Sequence, residues 1–198
     1  MVTDQVHGRS TVGAVSIALR PVSVHGEDRE ALIAFLTGEP WNFHVRPHPT
    51  REQVESSLAD GGYDGPDNHP LWVLVDGERV GLAVLQDLVD DTPMFDLRLT
   101  GSARGRGLGT PVLRALTTHL FQSVPTARRF EGQTREDNIA MRRVFLRSGF
   151  VKEAHYRQGW PVPGGQPLAS VAYAVLRQDW ETGQTTPLRW DDLDSSQR

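Results

Sequence analysis

The chain has 198 residues, of which 38% are hydrophobic, and a formal net charge of −4. This length suits one domain with its own core, and the negative charge argues against a protein that binds nucleic acid by neutralising phosphates. The sequence contains no cysteine, which excludes disulfide bonds, zinc ribbons and thiol nucleophiles. It shows neither a signal peptide nor a membrane-spanning run, so we expect a cytoplasmic protein that contacts no membrane.

Apolar periodicity predicts strands and helices that alternate only in the middle of the chain, which favours a mixed rather than a fully parallel sheet. Thr50 and Gln53 have the spacing of a capping box at a helix start. An Asp-Gly pair between the second and third strands indicates a β-hairpin. We expect residues 1–14 to be a flexible end and 181–198 to be a polar tail. The predicted strands are 16–22, 71–75, 79–88, 94–100, 128–134, 150–158 and 169–177, and the predicted helices are 27–38, 51–62, 111–123 and 139–149.

A glycine-rich loop, GSARGRGLGT, joins the fourth predicted strand to the third predicted helix. Free amides at a helix start bind anions, glycine allows close backbone approach, and arginine adds positive charge, so the loop suits a diphosphate. Its spacing differs from the phosphate loop of nucleotide hydrolases and from the dinucleotide-binding pattern. A flexible turn, or an arginine-glycine segment that touches RNA, is the alternative interpretation. The residues concerned are Arg104, Gly105, Arg106, Gly107 and Gly109.

The pattern Arg104-x-x-Gly107-x-Gly109, between a strand and a helix, resembles the pyrophosphate loop of the GNAT superfamily of acyl-CoA-dependent N-acetyltransferases. Downstream, DNIAMRRVFLRSGF is similar to that superfamily's Asn-to-Gly-Phe segment, and VKEAHYRQGW resembles the branch of ribosomal-protein N-terminal acetyltransferases. The resemblance implies one acetyltransferase domain over 15–180. The implied fold is α/β (α+β), with a mixed, splayed central sheet of about seven strands flanked by about four helices. Acetyl-CoA would bind where the two central strands part.

The resemblance also implies cofactor contacts at the matching positions. The backbone around Leu97 and Leu99 would pair with the pantetheine amides as an added strand would. Asn138 would hydrogen-bond the same arm. Arg143 could reach the CoA phosphates, although a solvated helix face is the alternative for it. The amides implied to hold the pyrophosphate are those of Arg104, Gly105, Arg106, Gly107, Leu108, Gly109 and Thr110.

Acetylation of an amine needs a proton acceptor, and two carboxylates are candidates. Asp96 lies on the strand that enters the glycine loop, and Glu131 lies on the adjacent strand. If both face the cleft, their repulsion would raise one pKa toward that of a general base. A salt bridge to Arg98 is the alternative role for Asp96. Many family members protonate the leaving thiolate with a tyrosine where this chain has Phe145. Tyr156 or water would replace it, or the thiolate leaves unaided and is protonated later, so the acid is unassigned.

Two aromatic, proline-rich segments, EPWNFHVRPHP and RQGWPVPGGQP, are the candidates for acceptor binding. Trp41, Phe43, His44 and Trp160 would form the walls of the acceptor site, or the aromatic side chains only anchor their loops. His44 and His48 have a metal-ligand spacing on a helix, but the prolines beside them forbid a helix there. We therefore expect no metal.

These features predict an enzyme that moves an acetyl group from acetyl-CoA directly to a primary amine, since no cysteine can carry a covalent acetyl. A protein or peptide N-terminus and a small-molecule amine are the two candidate acceptors. A non-catalytic acyl-CoA-binding or sensor module is the alternative, which the phenylalanine at the tyrosine position keeps open. We expect a monomer or homodimer that binds no nucleic acid.

Overall fold

The computed structural model describes residues 15–189 and contains seven strands and five helices there. The strands are β1 (Ile17–Pro21), β2 (His69–Val75), β3 (Glu78–Gln86), β4 (Met94–Leu99), β5 (Arg129–Arg135), β6 (Val151–Trp160) and β7 (Leu168–Leu176). The helices are α1 (Arg29–Thr37), α2 (Arg51–Ala59), α3 (Gly109–Ser123), α4 (Ile139–Arg147) and α5 (Arg177–Thr182). The strands form one mixed sheet in the order β1-β2-β3-β4-β5-β7-β6. The predicted sheet is thus confirmed, whereas the predicted flexible end and the last part of the tail, 190–198, lie outside the described residues.

Local sequence signals account for several element boundaries. At the start of α2, the Thr50 hydroxyl accepts from the Gln53 amide at 3.3 Å, and the Gln53 side chain accepts from the Thr50 amide at 3.0 Å, which confirms the capping box. Asp76 and Gly77 have φ of 51° and 85°, the two positive values that a tight hairpin turn between β2 and β3 requires. α3 begins at Gly109, slightly before the predicted start.

Helices cover both faces of the sheet, and each face has its own apolar core. On one face, α3 and α4 pack on alternate strand residues such as Leu71, Val73 and Phe130. On the other face, α1 and α2 pack on residues such as Trp72 and Leu82. This alternation is the pattern of a sheet buried on both sides. No helix in residues 15–189 has the length and apolar character needed to cross a membrane.

The sheet divides in its middle, between β4 and β5. β4 pairs with β3 along its length, from Met94 to Leu99. Its other edge runs parallel to β5 and keeps register at one residue pair only, Met94 with Glu131. Beyond that pair the two strands diverge, so one edge of β4 faces an opening instead of a neighbouring strand. The fold therefore has the splayed centre that the family resemblance implies.

A partly buried ion pair between Arg20 and Asp28 fixes the start of α1 against β1. Asp28 is 6% exposed and accepts hydrogen bonds from the Arg20 guanidinium at 2.8 and 3.0 Å and from the Ser23 amide at 3.0 Å. The hydrogen bond from Arg20 is the main reason why the pKa of Asp28 falls from 3.8 to about 2. A carboxylate with a lowered pKa stabilises the fold above its unfolded-state pKa and loses that contribution as the pH falls.

We expect Asp28→Asn to lower the free energy of unfolding by about 1–2 kcal/mol at neutral pH, because a charge-assisted pair is lost. Urea unfolding of both proteins across the pH range measures this difference. The gap should be full above the unfolded pKa of 3.8 and should shrink as the pH falls toward about 2. If the difference in the free energy of unfolding does not change with pH, the charge of the Asp28 carboxylate is not what stabilises the contact between α1 and β1.

Candidate active site

A cavity of about 530 Å³, here called the cleft cavity, opens where β4 and β5 diverge. Its walls come from β4, the glycine loop, α4 and the loop between α1 and α2. Of the predicted cofactor residues, Arg106 is the one that does not line it. Those that do are Leu97, Leu99, Arg104, Gly105, Gly107, Leu108, Gly109, Thr110, Asn138 and Arg143.

The glycine loop presents free backbone amides at one end of the cleft cavity. Gly105 and Gly107 have φ of 74° and 78°, values that residues with a Cβ rarely adopt. α3 starts with no capping side chain and no acidic residue in its first turn. Within residues 15–189, the amides of 105–108 donate to no other backbone group. Unpaired amides at an uncapped helix start form a site for an anion such as a diphosphate.

The loop between α1 and α2 is attached to the glycine loop. Glu39 accepts from the Gly101 amide at 2.6 Å and lies 3.5 Å from the Arg104 guanidinium. That guanidinium lies 5.2 Å from the ring centroid of Trp41. Trp41 is 2% exposed, and its indole N–H donates to the Leu36 carbonyl at 2.8 Å. Trp41 therefore anchors this loop as well as lining the cleft cavity.

Asn138 connects β5 to α4 at the wall of the cleft cavity. Its side-chain oxygen accepts from the Met141 amide at 3.2 Å and so caps the start of α4. Its side-chain nitrogen donates to the Thr134 hydroxyl at 3.0 Å. The amide has spare hydrogen-bonding capacity after these two contacts, so the cap leaves the predicted contact with a pantetheine arm open.

Two smaller cavities share lining residues with the cleft cavity. The fork cavity, about 210 Å³, is lined by residues of β4, β5 and α4 and by Phe43 and Trp160. The α2 cavity, about 320 Å³, is lined by α2, Arg46 and Tyr63. Asp96 and Trp160 line both of these, whereas His44 lines all three cavities. The three cavities therefore meet at His44.

Asp96 is bound by two basic side chains at this meeting point. Its carboxylate accepts from Arg98 Nε at 3.1 Å and from Arg98 Nη2 at 2.9 Å, and one oxygen lies 3.3 Å from His44 Nδ1. Burial would raise the pKa of Asp96, but attraction to His44 and Arg98 outweighs burial and holds the pKa well below its usual range. The salt bridge to Arg98, the alternative role for Asp96 in the sequence analysis, is thus present. The pKa of Asp96 is lowered, whereas a neighbouring carboxylate would raise it.

The other two predicted catalytic residues, Glu131 and Tyr156, line none of the three cavities. Glu131 accepts from Arg129 at 2.7 Å and from Gln133 at 3.1 Å, and it lines none of them. Tyr156 lines none of them either and is 51% exposed. Phe145 is 1% exposed, lines the fork cavity and stacks on Tyr173 with ring centroids 4.7 Å apart. Of the three predicted catalytic residues, Asp96 lines the fork cavity, whereas Glu131 and Tyr156 do not.

The sequence does not single out several residues that line the α2 cavity. Gln53 and Tyr63 come from α2 and the segment after it, and Arg46 from the preceding loop. No motif marks them, because their position depends on how α2 packs on the sheet. Arg98 could be placed beside Asp96 by strand alternation alone. Among residues 15–189, no group of three or more histidine or acidic side chains is arranged to hold a metal ion.

Comparison with solved structures shows that this fold is shared with several acetyltransferases. A spermidine N-acetyltransferase from Vibrio cholerae, in complex with CoA and spermine, is 13% identical over 83% of this chain and 98% of its own, with a TM-score of 0.69. A ribosomal L7/L12 α-N-protein acetyltransferase in complex with CoA is 20% identical over 81% and 93%, with a TM-score of 0.66. An aminoglycoside acetyltransferase, AAC(6')-Ib, in complex with coenzyme A is 22% identical over 84% and 98%, also with a TM-score of 0.66.

The structural neighbours do not distinguish the ribosomal-protein branch, because enzymes named for three kinds of amine match about equally well. The family model described as an acetyltransferase (GNAT) domain matches residues 16–151, which include β1–β5 and the glycine loop. The chain therefore belongs to the GNAT family and is an N-acetyltransferase with acetyl-CoA as its acetyl donor.

Proposed function

We propose that this enzyme acetylates the N-terminal amine of a protein or peptide that enters through the α2 cavity. The observation that carries the proposal is the meeting of the cleft, fork and α2 cavities at His44. A donor bound along the cleft cavity and an acceptor in the α2 cavity would bring their reactive ends together there. Such placement is what direct transfer in a ternary complex needs.

The cleft cavity fits acetyl-CoA on grounds of its own chemistry. The unpaired amides of 105–108 suit the pyrophosphate. The edge of β4 at Leu97 and Leu99 pairs with no strand and suits the amides of the pantetheine arm, although the Leu99 carbonyl already accepts from Arg104 Nε at 2.8 Å. Arg143 and Arg147 line the same cavity and supply positive charge for phosphate groups. The acetyl group would supply the carbonyl carbon that the acceptor amine attacks.

The charges of the α2 cavity favour a peptide over a polycation. Its charged lining residues are Arg46, Arg98 and Asp96, and Asp96 is already paired with Arg98. A polyamine or an aminoglycoside would bring several positive charges to a wall that holds no unpaired carboxylate among the described residues. A peptide N-terminus brings one ammonium group followed by carbonyl oxygens, which arginine can bind.

Trp160 adds a second reason to expect oxygen atoms beside the reacting amine. Its indole N–H is buried and has no hydrogen-bond partner within the described part of the chain. Trp160 lines both the fork cavity and the α2 cavity. A buried donor without a partner is costly, and a carbonyl oxygen of a bound acceptor could accept from it after a small movement of the ring.

Thiol release from acetyl-CoA, measured with short peptides of different first residues, with spermidine and with an aminoglycoside, tests the proposal. We expect turnover with peptides to exceed turnover with either polycation, and the same peptides blocked by N-acetylation should give none. Arg46→Glu is a matched variant, because this exposed side chain lines only the α2 cavity of the three. It should raise KM for a peptide with an acidic second residue and lower KM for spermidine.

Turnover with spermidine or the aminoglycoside alone would assign the acceptor to that class and reject the peptide proposal. The assay could instead show no thiol release with any amine while acetyl-CoA still raises the melting temperature. That result would contradict the choice of acceptor but would leave donor binding intact. The two failures are therefore separable in one set of measurements.

A further inference from the structure

The reaction needs a group at the fork cavity that can accept a proton at neutral pH. A primary amine is mostly protonated there and must lose a proton before it attacks a carbonyl carbon. The group must lie where the donor and acceptor cavities meet. Asp96, Arg98, Trp160 and His44 are among the residues shared between these cavities.

Asp96 is poorly suited to accept that proton itself. Both of its oxygens accept hydrogen bonds from Arg98, at 3.1 and 2.9 Å, and one also lies 3.3 Å from His44 Nδ1. A carboxylate stabilised in this way by a guanidinium binds a proton weakly. Arg98 has no lone pair to offer, because arginine stays protonated in proteins.

His44 is the remaining group. Its Nδ1 faces the Asp96 carboxylate at 3.3 Å, which favours the tautomer with the proton on Nδ1. Nε2 then carries a lone pair. The side chain is 23% exposed, and the imidazole lies edge-on to Trp41 with centroids 6.2 Å apart, so the ring is held on two sides.

We propose that His44 is the general base of this enzyme and that Asp96 is the positioning residue that orients it. The proposal rests on the proposed acetylation of an amine. His44 Nε2 takes one proton from the acceptor ammonium group, which leaves a neutral amine. The nitrogen then forms a bond to the thioester carbonyl carbon, the carbon–sulfur bond breaks, and the thiolate departs with the bonding electron pair. Of the two protons lost by nitrogen, one ends on the thiol of CoA and the other in solvent.

As at other catalytic histidines, a carboxylate binds one ring nitrogen of His44 and orients the ring, so that the other nitrogen can accept a proton. Arg98 then has a defined role: it fixes the carboxylate that fixes the imidazole. Asp96 is the charged group in contact with His44 among the described residues. The other charged or titratable groups that line a cavity with His44 are Arg46, Tyr63 and Arg98 in the α2 cavity and Arg98, Arg104, Arg143 and Arg147 in the cleft cavity.

His44→Gln tests the proposal, with His48→Gln as the matched control. His48 is exposed, lies on the same loop and lines none of the three cavities. We expect His44→Gln to lower kcat roughly hundredfold at neutral pH, the usual scale for loss of a general base, and His48→Gln to leave kcat unchanged. The rise in melting temperature with acetyl-CoA should be the same in both variants, which shows that the donor site survives.

The pH profile separates a base from a residue that only shapes the site. With a peptide acceptor, activity of His44→Gln should recover at high pH, as the α-amino group, with an ordinary pKa of about 8, deprotonates without help. Asp96→Asn should lower kcat by a smaller factor, about tenfold, because His44 is still present to accept the proton. Its melting temperature shows whether the loss is due to unfolding.

The proposal is overturned if His44→Gln keeps more than about a third of wild-type kcat, or if its lower rate does not recover at high pH. It is also overturned if Asp96→Asn loses more activity than His44→Gln while still folded, since Asp96 would then be the base. These outcomes all require a turning-over wild-type enzyme. An inactive wild type instead contradicts the proposed acceptor, which is a different failure.

Discussion

Gly107→Val should raise KM for acetyl-CoA at least tenfold. Gly107 has φ of 78°, and nothing lies within 4 Å of where a Cβ would be, so the substitution meets no steric clash. The cost comes from the backbone, because a β-branched residue avoids positive φ by about 1–2 kcal/mol or more. The loop would turn to relieve that strain, and the unpaired amides of 105–108 would no longer converge on one anion. A tenfold loss of affinity corresponds to about 1.4 kcal/mol, which is within this cost.

Gly183→Val is the matched control for this prediction. Gly183 has φ of 71°, again with open space around it, but it lies after α5 and lines no part of the cleft cavity. The two variants should lose similar amounts of stability, whereas only Gly107→Val should change KM for acetyl-CoA. Steady-state kinetics and thermal unfolding on both proteins measure this. Equal KM values in the two variants would mean that the loop amides do not hold the donor.

Gly132→Val should destabilise the fold by about 3 kcal/mol, at the upper end of the usual cost of overpacking a core. A Cβ at Gly132 would lie 2.7 Å from ring atoms of both Phe145 and Phe95. These rings cannot move freely, because Phe145 also stacks on Tyr173 at 4.7 Å and Phe95 lies 4.9 Å from Phe130. For a chain of this size, the expected fall in melting temperature is about 6–12 °C.

A double-mutant cycle identifies the cause of that loss. Phe145→Leu removes ring atoms that a Cβ at Gly132 would meet, at the cost of its own lost packing. Gly132→Val should therefore cost less stability in the Phe145→Leu background than in the wild type, and urea unfolding gives all four free energies. Strict additivity would show that the close approach of Gly132 to Phe145 is not what limits this position.

The sequence is most informative where local chemistry decides the structure. The capping box at Thr50, the Asp-Gly hairpin and the strand-loop-helix around Gly107 all depend on neighbouring residues, and all are present. α5 is different, because six residues carry too little periodicity to predict a helix. Arg177 instead ties its start to the carbonyls of Phe121, Val124 and Ala127, contacts that depend on the tertiary fold.

The site is less predictable than the fold because it depends on register and on loop packing. Alternation correctly places Asp96 opposite Phe95 on its strand, but it cannot give the parallel register between β4 and β5, which sets Glu131 beside Met94 instead. The contact between His44 and Asp96 joins a loop to a distant strand. No spacing in the sequence encodes that contact, since the attachment of the loop through Glu39 and Trp41 produces it.

The single register pair between β4 and β5 also bears on the order in which the chain folds. β1 to β4 come from one run of chain, with β2, β3 and β4 paired to their immediate predecessors in space, and β5, β7 and β6 come from a second run. The β2–β3, β3–β4 and β6–β7 pairs close short connections within the runs, whereas the β4–β5 pair spans the glycine loop and α3 and keeps one register pair. The strand pairs within each half-sheet can therefore nucleate early. We expect the junction of the halves at Met94 and Glu131 to form last, after α3 has packed. The fork cavity, where the substrates would meet, is then completed in the last step of folding.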